Sequence, residues 1–95
     1  MSFRYALGAL VVAKSSLESA VQELTLPESY ERRRLDSMWI MERLSCECVG
    51  GTQLFYHCQR WDGSVGRYAE GSLVTVVDAY DTWRHAIEAN KKVIA

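Results

Sequence analysis

Apolar positions change their spacing twice along this chain, and each change marks a change of element. The run Leu7-Gly8-Ala9-Leu10-Val11-Val12-Ala13 is short and rich in β-branched residues, which predicts a first strand over 9–14. The spacing then turns helical: Leu17, Ala20, Val21 and Leu24 fall at i, i+3, i+4 and i+7, and Ser15 with Glu18 has the spacing of a capping box. A helix from Ser16 to Leu24 is expected. Pro27 breaks it, and the chain restarts as a short helix or loop through Glu28 to Leu35, so that 15–37 is a helical insertion. From Met38 the pattern becomes that of strands, over Met38–Val49, Thr52–Trp61, Val65–Tyr68 and Leu73–Val77, an antiparallel meander filling 38–77. Gly50-Gly51 and Asp62-Gly63 supply its turns. A last helix over 78–92, capped by Asp78 and Asp81, carries Tyr80, Trp83, Ala86 and Ile87 as its apolar stripe. The expectation is one α+β domain, 1–95, built on a small, strongly bent antiparallel sheet.

The first hairpin has two plausible registers. A two-residue Gly50-Gly51 turn pairs Cys46 with Phe55 and divides the apolar residues between the faces. A three-residue loop, Val49-Gly50-Gly51, pairs Cys48 with Thr52, Cys46 with Leu54 and Leu44 with Tyr56, gathering them on one side. Because one face must be buried, the second register is preferred. It leaves an opposite face of Trp39, Met41, Arg43, Ser45, Glu47, Gln53, Phe55, His57, Gln59 and Trp61, too apolar to be wholly solvated.

The stretches Leu7 to Lys14, Cys48 to Cys58 and Glu70-Gly71-Ser72-Leu73-Val74, a first strand, a bent Gly-Gly hairpin and a short final strand, resemble the small Tudor and KOW barrels of SH3-like architecture. A strand ending in Cys and a Gly-Gly turn leading into an aromatic-rich strand is also similar to short proteins of phages and bacterial mobile elements. The likeness spans about two thirds of the chain. The segment from Ser15 to Ser37 is longer than an ordinary barrel loop, and the terminal helix is an addition. The resemblance implies an SH3-like barrel and no functional residue, since such barrels serve unrelated functions.

Composition narrows the partners. A formal charge of −1 gives no bulk attraction to nucleic acid or an anionic membrane, so any such contact needs a local basic patch. Glu31-Arg32-Arg33-Arg34 is read as a solvated face, with phosphate contact as the alternative. The run Ala6 to Ala13 imitates a secretory signal but is short and interrupted by Gly8, and no stretch reaches the ~20 apolar residues of a membrane span. Three cysteines, two of them in Cys46-Glu47-Cys48, fit reduced thiols of a cytoplasmic protein better than a disulfide framework.

Candidate chemistry is sparse. The cysteine spacing is not that of a zinc knuckle, so Cys46, Cys48 and Cys58 are expected as core thiols, with no metal and no cofactor. His57 and Cys58 alternate to opposite faces of one strand and cannot act as base and nucleophile together, while His85 faces away from the Trp83 stripe. Gly63, Gly66 and Gly71 lack the strand-to-helix context of a phosphate loop. No catalytic constellation emerges, and an enzyme is not expected. What remains is a mixture of aromatic and cationic side chains: Trp39, Met41, Arg43, Phe55, His57, Arg60, Trp61, Arg67 and Tyr68. The leading expectation is a phage- or mobile-element-encoded binding module engaging a host protein or a second copy of itself through this face. The alternative is a nucleotide or nucleic-acid binder using Arg43, His57, Trp61 and Arg67.

Overall fold

The computed structural model describes residues 2–22 and 35–94, with the side chains of the last helix described through Ala89. Strand β1 (Leu10–Ala13) runs directly into helix α1 (Lys14–Gln22). After the insertion come β2 (Ser37–Cys48), β3 (Gly51–Gln59) and β4 (Val65–Ala69), then a 3-10 turn (Glu70–Ser72), β5 (Leu73–Thr75) and helix α2 (Val76–Ile94). The five strands form one antiparallel sheet in the order β4-β3-β2-β1-β5. The α+β expectation is met. The second helix or loop expected after Pro27, Leu24 and the Arg32-Arg33-Arg34 run lie outside the described residues.

The sheet has a core on each side. On one face Val11, Ala13, Met38, Ile40, Tyr56, Cys58 and Leu73 are buried beneath the N-terminal segment, whose Tyr5 is buried with them and whose Phe3 packs against them. Tyr5 fastens that segment by donating its hydroxyl to the Leu73 carbonyl at 3.0 Å. On the other face Val12 is buried with Leu17, Ala20, Leu35 and Ala79, and Val74, Tyr80 and Trp83 pack around them. This second core exists because both helices spring from the ends of adjacent antiparallel strands without an intervening loop. They fold back over the β1–β5 ribbon and touch one another.

The start of α2 differs from expectation. Thr75, rather than Asp78 or Asp81, caps it, its Oγ1 accepting the Asp78 amide at 3.1 Å. Leu73-Val74-Thr75 therefore ends as a strand two residues early, and Val76 and Val77 belong to the helix. The apolar stripe is as expected: Ala79 is fully buried, and Tyr80, Trp83, Ala86 and Ile87 are half-buried along the same side.

The hairpin register is neither of the two weighed. Cys48 pairs with Gly51, Glu47 with Thr52 and Cys46 with Gln53, so the turn consists of Val49 and Gly50. Gly50 (φ 106°) and Gly51 (φ 131°) supply conformations that side-chain-bearing residues avoid, which moves the turn one residue earlier than a Gly-Gly centre. A β-bulge at Met41 then shifts the pairing, with Ile40 opposite Cys58 but Glu42 opposite His57. The two departures rearrange the faces. Ile40 stays in the core with Cys58, Arg43 and Ser45 follow on the Tyr56 side, and Leu44, Cys46 and Cys48 cross to the side of Phe55. Cys46 and Cys48 are consequently exposed and only Cys58 is buried, which corrects the expectation of three core thiols.

Candidate functional site

The helices cover only the β1–β5 end of their sheet face. Continuing across it, Leu10 pairs with Trp39 and Trp39 with Gln59; the next rows are Glu42, His57 and Arg67, then Leu44, Phe55 and Ala69. Trp39 is 47% exposed and Leu10, beside it, 44%. Met41, in the bulge, is 50% exposed, and Leu7 is also open in the turn whose Gly8 amide donates to the Ile40 carbonyl at 2.7 Å. The seam between β1 and β2 thus carries an apolar strip on otherwise polar surroundings.

The polar rows beyond it are internally paired. Nδ1 of His57 lies 3.0 Å from Glu42 Oε2 across the β2–β3 ladder. The Arg67 guanidinium sits 4.5 Å from the Phe55 ring centre, a diagonal cross-strand stack that half-buries the ring. Phe55 is thereby a floor for Arg67 rather than an open aromatic platform.

The remaining expected residues sit elsewhere. Arg43 is on the opposite face, its guanidinium 5.3 Å from the Phe3 ring. Tyr68 is also on that face, paired with Tyr56. Arg60 lies over the Tyr68 ring at 5.7 Å and donates to its hydroxyl from Nη2 at 2.9 Å and to Ser64 Oγ from Nη1 at 3.0 Å. Gly66 makes room for this, since a Cβ there would strike the Arg60 guanidinium and Tyr68 Cε2. The Asp62-Gly63 turn is closed by Asp62 Oδ1, which accepts the Ser64 amide and hydroxyl; those bonds hold its carboxyl below the usual carboxylate range. Trp61 projects from this turn, 76% exposed, beside a hollow bordered by Leu35, Asp36 and Ser37.

Of the nine expected residues, Trp39, Phe55, His57 and Arg67 therefore share one face, Met41 lies in the bulge between its rows, and Arg43, Arg60, Trp61 and Tyr68 do not join them. Arg43, His57, Trp61 and Arg67 do not form a single stacking and phosphate-contacting surface. Leu10 and Leu7 were missed, because both stand in one apolar run with Val11, Val12 and Ala13, which are buried, and nothing in the run separates its exposed members from them. His85 is exposed on α2, and among the described residues no group of three His, Cys, Asp or Glu side chains gathers to hold a metal within one chain. Compared with family models, with curated proteins and with solved structures, the chain matches none. No described helix is long and apolar enough to cross a membrane.

Proposed function

We propose that this protein is a non-enzymatic binding module that engages a protein surface through the uncovered half of its helix-bearing sheet face, and that the surface it meets is a second copy of the chain. The observation that carries the reading is the side-by-side exposure of Leu10 and Trp39, with Met41 open beside them, on a strip the helices stop short of. Exposed tryptophan and methionine within a rim of Glu42, His57 and Arg67 have the make-up of an interface centre and its polar border. A two-fold contact needs only one self-complementary patch. An SH3-like barrel is the architectural reading we favour, supported by the β-bulge in β2, the short last strand that returns to pair with the first, and the N-terminal residues packed over one face of the sheet.

Light scattering at tens of micromolar tests this. The wild-type chain is expected to run above its monomer mass at both low and high salt, because an apolar contact is little screened, and Trp39→Glu is expected to return it to monomer with unchanged circular dichroism. A monomeric wild type, or an oligomer that Trp39→Glu leaves intact, overturns the reading.

A further inference from the structure

The exposed pair Cys46 and Cys48 lies on the same sheet face but beyond the Phe55 row, outside the Trp39 strip, and its geometry is specific. Both side chains project from the same side of β2, two residues apart, and their sulfurs lie 3.8 Å from one another. The partner strand leaves that side open: opposite Cys48 stands Gly51, and a Cβ built there meets nothing within 4 Å. Gln53, opposite Cys46, offers no ionisable ligand. Glu47 points to the other side of the strand, where its carboxylate accepts the Thr52 hydroxyl at 3.3 Å.

A tetrahedral zinc site with zinc–sulfur bonds of ~2.3 Å separates neighbouring sulfurs by about 3.8 Å. The Cys46 and Cys48 sulfurs already stand at that separation, as two corners of such a tetrahedron, before any metal arrives. The described part of one chain supplies no third ligand nearby. The location suggests where the other two come from. β4 flanks the hairpin only as far as Phe55, and β1 only as far as Trp39, so residues 45–54 form a two-stranded ribbon that no other described strand pairs with. At ~3.4 Å per residue, Cys48 lies about 14 Å beyond Leu44, the last β2 residue whose partner is flanked by β4, which sets the cysteine-bearing tip apart from the rest of the sheet.

We propose that Cys46 and Cys48 are half of a tetrathiolate site for zinc, or another d10 divalent ion of the same preference, completed by Cys46 and Cys48 of a second copy. On binding, the thiols release their protons to solvent and the ion replaces the weak sulfur–sulfur contact with metal–thiolate bonds, with no change of oxidation state. The ion joins hairpin tips, whereas the Trp39 strip joins sheet faces, so the two associations are separable by chelation.

The test uses the full chain, kept reduced, titrated with cobalt(II) as a spectroscopic substitute for zinc. The expected result is a thiolate-to-cobalt charge-transfer band with the visible absorption of tetrahedral cobalt, saturating at about one ion per two chains. Zinc should bleach that spectrum by displacement. In the Trp39→Glu chain, which lacks the sheet-face contact, it should also double the mass of the metal-free species by sedimentation, reversibly with a chelator. Cys48→Ser is expected to abolish both signals while its circular dichroism stays that of the wild type, since the residue is exposed. Saturation at one ion per chain with no change of mass, absence of the thiolate band, or its persistence in Cys48→Ser each overturns the proposal.

Discussion

The ring of Tyr56 stands edge-on to that of Tyr5, their centres 5.4 Å apart and their planes at 66°, and the Tyr56 hydroxyl accepts the Tyr5 amide at 3.2 Å. The same hydroxyl donates to the Glu70 carboxylate, whose Oε2 also accepts the Arg4 amide at 3.0 Å. One side chain from the middle of β3 thereby holds the N-terminal segment and the 3-10 turn together over the first core.

Removing only that oxygen should be costly. In Tyr56→Phe the Tyr5 amide loses its acceptor inside the core, and a loss of about 1–3 kcal/mol is expected from urea unfolding. Tyr5→Ala, which empties a buried aromatic site as well, should cost about 3–5 kcal/mol. A Tyr56→Phe midpoint equal to wild type would show that the segment is held by packing alone.

The same cluster sets a pH dependence. The Arg4 amide, and after it the Tyr56 hydroxyl, hold the Glu70 carboxyl below its ordinary value. A depressed native value means that this stabilisation is complete above the usual carboxylate range and is lost as the pH falls through the native value. Tyr56 shifts the other way, raised first by burial and then by its bond to Glu70, so its contribution holds below the usual tyrosine range and fades as the pH rises through the native value. Unfolding midpoints taken from about pH 3 to pH 6 should fall less steeply toward acid in Glu70→Gln than in wild type; identical slopes would exclude Glu70 as the source.

Docking of α2 is tested at three positions. Trp83 packs into the second core and edge-on to Tyr80 at 6.1 Å, so Trp83→Ala should cost about 3–5 kcal/mol. Its Nε1 is buried and finds no partner among the described residues, which makes Trp83→Phe far milder than Trp83→Ala. Thr75→Ala removes the cap and should cost about 1 kcal/mol. Equal midpoints for Trp83→Ala and the exposed-site variant His85→Ala would show that the helix does not dock.

Thiol reactivity should divide the cysteines two to one. Cys46 and Cys48 are exposed, while Cys58 is fully buried and burial pushes its thiol up, lowering the reactive thiolate fraction. Maleimide labelling of the native, metal-free protein followed by mass mapping should fill Cys46 and Cys48 rapidly and Cys58 only on unfolding. Simultaneous labelling of all three would contradict the burial of β3.

Periodicity made the strands, both helices and the Trp83 stripe legible, because each rests on many residues agreeing. Pairing was not. Alternation along β2 reads continuously from Ile40 to Cys48, and nothing in the residues marks Met41 as surplus; the bulge follows from where β3 and β1 fall, which is long-range information. The turn was misplaced by one residue because adjacent glycines can serve as turn or as flank. Those two slips account for the exposed cysteines and the migration of Arg43 to the far face. Trp39 kept its expected face because it lies before the bulge.

Met41 divides β2 into two stretches that run in opposite phase. A substitution on either side alters one side chain, and loss of Met41 itself would only make the ladder regular, but losing one of residues 42–44 with the bulge kept would turn the outer ribbon over, sending Ser45 and Glu47 where the paired sulfurs now stand and moving the thiols to the Tyr56 side of the sheet. The outer half of this hairpin is thus protected against changes of length more strictly than against changes of residue. Deletions there should be far rarer among functional variants than replacements at the same positions.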